Sequence, residues 1–310
     1  MGCMRYGITL TGAEGENVVD STVARAAAAA EVGVDSVWLG QRLDYDAVGL
    51  AGLIGSRVAG IDVGVSAVPV FARHPLLVAS QAQTAQAAAP GRFHLAVALG
   101  APPLVEGVFG LPWERPAARL REFLEVLAPL LRGEPVDHDG ELYTAHSILP
   151  TQVAGATRTP LLVAAMAPRA LRATGELADG TVTYLAGPKA LANDIVPALV
   201  KAAGDKPAPR VVTLVPAAVT TDPAIRERVA EGLAFYTQFP SYQRVLGLSG
   251  VENPVDLALI GDEETVARGL AEYADAGATE VVLTANESLP LEVQERTRAL
   301  AGALARERAA

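Results

Sequence analysis

Runs of strand length built from Val, Ile and Leu alternate along this chain with Ala-rich stretches of helical period, the pattern of repeated strand–helix units. The strand candidates are residues 4–10 (MRYGITL), 36–40 (SVWLG), 62–68 (DVGVSAV), 93–100 (FHLAVALG), 160–165 (PLLVAA), 181–186 (TVTYLA), 210–220 (RVVTLVPAAVT) and 280–285 (EVVLTA). Helical period is clearest over 18–33, 75–91, 167–180 and 262–278, and several of these stretches open on Pro or Asp and close on Gly, as helix ends favour. Strands that are apolar at successive positions need cover on both faces. Eight such units in 310 residues predict one α/β domain over 1–310, a (β/α)8 TIM barrel with insertions. A doubly wound open sheet competes with it, but no G-x-G-x-x-G follows the first strand.

Two segments exceed a minimal barrel. Residues 101–159 carry an extra amphipathic helix (RPAARLREFLEVLAPLLRG) and then Asp139-Gly140 between alternating residues, a hairpin signal. Residues 238–261 form a long polar connection after the seventh strand. Long connections in compact domains commonly line a site or cover it.

Charge narrows the function. The net charge is −10, and no cluster of five or more Lys or Arg appears, so the basic footprint of a nucleic-acid binder is missing. Cys3 is the only cysteine, which excludes an intrachain disulfide and suits a reducing cytoplasm. No uncharged apolar run reaches the roughly 18 residues of a membrane helix, so no membrane partner is expected. Met1-Gly2-Cys3 resembles an acylation signal, but Tyr6 stands where Ser or Thr is favoured.

In such a barrel the chemistry sits at the carboxyl ends of the strands. Gln41, Arg42 and Asp44 follow the second strand and are expected to project into the mouth, or else to form a solvated loop. The other mouth positions are mostly small or apolar. The four histidines at 74, 94, 138 and 146 lack metal-ligand spacing, so no metal is expected. Neither a G-x-S-x-G nucleophile elbow nor a P-loop is present. A mouth this poor in reactive side chains suits a flat ring cofactor that brings its own chemistry.

The segments GVDSVWLG, VGVSAVPVFARHPLLVASQAQTAQAAAPGRFHLAVALG, VFGLPWERPAARLREFLEVLAPLLRGEPVDHDGELY, PLLVAAMAPRALRATGELADGTVTYLAGP and LIGDEETVARGLAEYADAGATEVVL, in that order, resemble the luciferase-like monooxygenase superfamily, in the branch that uses the 5-deazaflavin coenzyme F420. The resemblance implies a bulge with a non-prolyl cis peptide at Ser66, Ala67 and Val68, supporting one face of the deazaflavin. It implies that Ala98, Leu99, Gly100 and Ala101 line the ring and ribityl chain. Ala165, Met166, Ala167 and Gly187 would approach the phosphate, with strand-to-helix packing as the plain reading of all these positions. Dehydrogenases of the branch resemble W-x-x-Asp-His after the second strand and carry a Glu after the fourth, whereas this chain has Gln41, Arg42 and Ala101. Oxidising an alcohol needs a base for the hydroxyl proton, and that set is absent.

The departure implies a reductase that passes hydride from the reduced deazaflavin to a C=C or C=N bond of a small molecule. Gln41 would hydrogen-bond the ring, Arg42 would hold a substrate carbonyl or carboxylate, and Tyr184 would donate a proton or pack on the ring. Arg73 and His74 are candidates for the coenzyme's anionic tail. Glu106, Trp113 and Arg115 would wall the cleft, and Tyr236, Tyr242 and Arg244 would form a substrate lid or a dimer contact. FMN-dependent monooxygenation and a noncatalytic barrel subunit are the competing readings. A homodimer is the expected assembly.

Overall fold

The computed structural model describes residues 4–11, 16–284 and 289–309; the Met1–Cys3 signal and residue 285 of the eighth predicted strand lie outside these. In chain order the elements are β1 (Arg5–Leu10), α1 (Val18–Glu31), β2 (Ser36–Leu39), α2 (Ala47–Arg57), β3 (Asp62–Pro69), α3 (Pro75–Ala88), β4 (Phe93–Ala98) and α4 (Pro116–Leu131). The hairpin strands β5 (Asp137–Asp139) and β6 (Thr144–His146) follow, then β7 (Leu161–Ala164), α5 (Pro168–Leu177), β8 (Gly180–Tyr184), α6 (Pro188–Ala190) and α7 (Val196–Ala203). The last third holds β9 (Arg210–Val219), α8 (Ala224–Leu233), α9 (Pro240–Ser249), β10 (Leu259–Gly261), α10 (Glu263–Asp275), β11 (Glu280–Thr284) and α11 (Leu291–Ala309).

Eight strands pair in parallel in the order β9-β11-β1-β2-β3-β4-β7-β8, and β8 pairs back onto β9. That closing pair excludes the open doubly wound sheet. β10 extends the sheet by pairing with the far end of β9, Ala217 to Val219. Alternation along each strand divides the apolar residues between two cores. In β2, Val37 and Leu39 pack outward under the helices, while Trp38 turns inward with Ala96, Leu162, Val182, Val212 and Val282 to fill the barrel. Gly64 makes room for that indole: a Cβ there would lie 2.3 Å from the Trp38 ring.

The helices begin where side chains satisfy their first amides. Asn17 accepts from the Val19 and Asp20 N–H groups, Asp46 from Gly49 at 2.7 Å, and Asp262 from Thr265 at 2.9 Å. The expected hairpin at Asp139-Gly140 is present, with Asp139 opposite Thr144. The amphipathic helix expected as an addition is instead a regular member of the outer ring, because α4 packs between α3 and α5. The second insertion is also less irregular than its polar composition suggests, since it contains α9 and β10.

The amino end of the barrel carries buried charge. The Glu280 carboxylate, 1% exposed, accepts from Ser36 Oγ at 2.5 Å, Trp38 Nε1 at 2.9 Å and Arg210 at 2.9 Å. Asp62 accepts from Arg5 at 2.7 Å and from His94 Nε2 at 3.0 Å, and Arg210 donates to His94 Nδ1 at 3.2 Å. Burial pushes the Asp62 carboxyl up, but the His94 hydrogen bond and the Arg5 charge outweigh it and hold the group below its ordinary value.

Candidate active site

The carboxyl end of the barrel is built differently. On β3 the register with β4 shifts between Val65 and Val68, and the Ser66–Ala67 peptide is cis, as the resemblance implies. Ala67 packs partly against the interior core, whereas Val68 is fully buried under the helices.

Beside this bulge, a cavity of about 500 Å³ opens between the ends of β4 and β7, lined by Leu99, Ala167, Pro168, Arg169 and the first α4 residues, Pro116 and Ala117. Of the residues expected to meet the coenzyme, it gathers Leu99 and Ala167. Ser66, Ala98, Ala101 and Met166 are half-buried at neighbouring strand ends, Gly100 is exposed with φ +79°, and Ala165 is buried in the outer core. Both α4 and α5 begin without a side-chain cap. Gly187 departs from its expected role: its amide donates to Ser249 Oγ at 2.9 Å, and a Cβ there would lie 2.8 Å from Leu257, so α9 and the turn after it already fill that approach.

The polar group after β2 is organised by Gln41. Its amide donates to the Arg42 carbonyl at 2.7 Å and the Tyr45 carbonyl at 2.9 Å, and its oxygen accepts from Ala47 N–H at 3.2 Å. Gln41 therefore braces the loop into α2, and its amide is engaged there rather than presented to a ring. Arg42 donates to Asp44 at 2.9 Å and sits over the Tyr45 ring at 5.9 Å; its side chain is 52% exposed. The guanidinium holds the exposed Asp44 carboxyl below its ordinary value.

Across the mouth, a second cavity of about 260 Å³ lies at the ends of β1, β8, β9 and β11. Its lining mixes the hydroxyl-bearing Thr9, Thr11, Tyr184, Tyr236 and Thr284 with the apolar Pro216, Val229, Leu233 and Leu289. Tyr184 meets Tyr236 edge to face at 5.0 Å and Tyr242 at 6.2 Å, so Tyr236 walls this cavity and Tyr242, from the second insertion, packs behind it. Burial, reinforced by Tyr236 and Tyr242, pushes the Tyr184 hydroxyl far above its ordinary value. Tyr184 therefore stays protonated at every working pH, with its hydroxyl hydrogen-bonded to Tyr236 and Thr284, and it releases its proton reluctantly. Arg244 ties α9 to the other cavity's rim by donating to the Met166 carbonyl at 3.2 Å.

The softer candidates resolve into structural roles. His74 caps α3, accepting from Leu76 N–H at 3.3 Å through Nδ1 while Nε2 faces the Thr144 carbonyl at 3.1 Å. Arg73 pairs with Asp46 at 3.6 Å, and Arg115 pairs with Glu141. Trp113 stacks on Phe71 at 4.9 Å, and Arg119 covers Phe71 at 4.8 Å, forming a wall near the β3 end. Glu106 is exposed and accepts from Trp113 N–H at 3.4 Å. Sequence reasoning missed Arg169 and Thr9. The Pro168-Arg169 pair at a helix start was a readable signal for the first, whereas Thr9 inside a strand gave none.

These residues fit a deazaflavin. The β4–β7 cavity is apolar and small-lined enough for a ring, and its rim offers two uncapped helix starts and the Arg169 guanidinium to an anionic tail.

Residues 4–280 match the luciferase-like monooxygenase family. Over 265 residues the chain is 28% identical to a protein of Nakamurella multipartita named F420-dependent glucose-6-phosphate dehydrogenase, covering 80% of this chain and 76% of that one. It superposes on the coenzyme F420 dependent tetrahydromethanopterin reductase from Methanopyrus kandleri with TM-score 0.77 at 20% identity, covering 96% and 97% of the two chains. The oxygenating constituent of 3,6-diketocamphane monooxygenase from Pseudomonas putida, solved with FMN, superposes with TM-score 0.76 at 16% identity over 98% of each chain.

Proposed function

The chain belongs to the luciferase-like monooxygenase family, and on that premise we propose that it is a coenzyme F420-dependent oxidoreductase working as a reductase on a small molecule with an activated C=C or C=N bond. The observation that carries this reading is the apolar β4–β7 cavity beside the β3 bulge, with uncapped helix starts and Arg169 at its rim. When bound, the reduced deazaflavin supplies hydride. Ser66 to Val68 would support its ring through backbone, Ala98 to Ala101 would flank it, and Met166, Ala167 and Arg169 would hold its anionic part. Tyr184 would donate a hydrogen bond to the acceptor. Arg42 would reach the acceptor only by leaving Asp44.

The reductive direction follows from what the mouth lacks. Gln41 and Arg42 stand where the branch's dehydrogenases resemble Asp-His, and both are engaged within their loop. Ala101 stands where a Glu is expected, and the carboxylate that does follow β4, Glu106, is exposed. A cytoplasmic homodimer is part of the same proposal. Among the described residues no helix is long and apolar enough to cross a membrane.

The test is a side-by-side fluorescence titration of the apoprotein with deazaflavin coenzyme and FMN, followed by stopped assays for reduction of the oxidised deazaflavin by glucose 6-phosphate. The expected result is deazaflavin binding at least about tenfold tighter than FMN binding, with no turnover of the sugar phosphate. Tighter FMN binding, or no binding of either, overturns the cofactor assignment. Robust turnover overturns the direction.

A further inference from the structure

The β1–β8–β9–β11 cavity has a chemistry of its own. Its described lining contains no charged side chain. Thr9 and Thr11 bring hydroxyls to it that no hydrogen bond within the described residues engages, and Tyr184 and Tyr236 add two that bond each other, Tyr184 also meeting Thr284. The nearby guanidinium of Arg25 belongs to the outer helix α1, where it donates to the Thr11 carbonyl at 3.0 Å and does not line the cavity.

A ligand entering here exchanges water for hydroxyls and for the apolar side chains of Pro216, Val229 and Leu233. A ketone, an alcohol or an enone is satisfied by that exchange. A phosphate or carboxylate is not, because a buried anion needs a cation or several charge-assisted donors. Hydroxyls that find no partner on a wholly apolar ligand are likewise penalised. We infer that this cavity is the acceptor subsite and that it selects an uncharged, compact, ring-sized molecule bearing a carbonyl or hydroxyl oxygen, rejecting sugar phosphates and carboxylates.

The inference rests on the deazaflavin reading only in naming the ligand a hydride acceptor. Its test therefore uses the full chain without coenzyme, so that selectivity and cofactor use fail separately. The apoprotein is titrated calorimetrically with carvone and perillyl alcohol, with perillate on the same carbon skeleton, and with glucose 6-phosphate. The expected result is binding of the two neutral ligands, with perillate and the sugar phosphate weaker by at least roughly 30-fold. Equal or tighter binding of perillate overturns the inference, and so does the absence of binding by either neutral ligand.

A variant locates the effect. Gly232 lines the cavity from the last turn of α8, where it is exposed and helical, a backbone setting that favours a residue with a side chain over Gly. Gly232→Arg supplies the missing cation and should tighten perillate by about tenfold or more relative to carvone. Gly232→Gln, which adds bulk without charge, should leave the ratio unchanged. If Gly232→Arg leaves the perillate-to-carvone ratio where it was, or Gly232→Gln shifts it as much, the selectivity arises elsewhere and the subsite assignment falls.

Discussion

At the amino end of the barrel, Arg5, Asp62, His94, Arg210 and Glu280 bring ionisable side chains together from five strand starts, each held by a partner within 3.2 Å. At the carboxyl end the two cavities are walled by alanines, threonines, tyrosines and aliphatic side chains, with Arg169 the one charged residue among the described lining. Both ends cap the same interior core around Trp38. The difference shows where this protein places its electrostatics. Charge is concentrated in the buried amino-end network and nearly absent from the described cavity linings at the carboxyl end. Buried ion pairs contribute little net stability while intact, but losing one partner is expensive.

The sharpest way to break this contrast is to remove the centre of the amino-end network. Glu280→Ala leaves the Arg210 guanidinium without its carboxylate and takes the acceptor from Ser36 and Trp38. The expected loss is about 3–5 kcal/mol of unfolding free energy, read from the urea midpoint, with carvone affinity of the folded fraction unchanged. A loss under about 1 kcal/mol would mean that the network is incidental.

A smaller effect separates the two ends by pH. The Asp62 carboxyl sits below its ordinary value of 3.8 in the folded chain. A depressed carboxylate stabilises the fold fully above its unfolded pKa and loses that contribution as pH falls through the folded value. Stability should therefore drop below about pH 4. Asp62→Asn should cost on the order of 1–2 kcal/mol at pH 7 and flatten that acid slope. Urea midpoints measured from pH 3 to pH 7 decide it, and an unaltered slope assigns the acid sensitivity to other carboxylates. Neutral-ligand affinity should stay flat over the same range, because the second cavity has no described group that titrates there.

The barrel was readable because its strands carry continuous apolar runs, a signal local to each segment, and all eight appear where those runs lie. The β3 bulge was readable only through the resemblance. The amino-end network was not readable, because Arg5, Asp62, His94, Arg210 and Glu280 are spread over the whole chain and meet only when β8 closes on β9. Within the site, residue types predicted the small and apolar character of the mouth but not which polar groups would be engaged. Gln41 turns both amide N–H donors and its oxygen into its own loop, and the Gly187 amide is taken by Ser249, a partner 62 residues away. The second insertion read as a polar connection because Phe239 and Tyr242 are the only aromatic residues in 238–261. Only the fold stacks Tyr236 and Tyr242 against Tyr184.

The smallest expected effect concerns the guanidinium nearest the mouth on the β2 side. A cation at a strand's carboxyl end invites a role in holding substrate, and a free charge-assisted hydrogen bond of that kind is worth about 1.5–3 kcal/mol. In the fold, however, Arg42 is half-exposed and already paired with Asp44 at 2.9 Å. A ligand would have to compete with that carboxylate and with water, and exposed pairs of this type are worth only about 0–1 kcal/mol. If the acceptor is uncharged, the competition favours Asp44 further. Arg42→Ala should thus shift the urea midpoint by less than about 1 kcal/mol, leave deazaflavin affinity unchanged, and lower kcat/KM for the acceptor by no more than about fivefold. Asp44→Asn supplies the control, since freeing the guanidinium should raise affinity for a carboxylate probe if Arg42 reaches the ligand at all. A 10- to 100-fold fall in kcat/KM for Arg42→Ala, at constant stability, would show that the guanidinium leaves Asp44 during turnover. It would bring a charge into cavities whose described lining holds only the charge of Arg169.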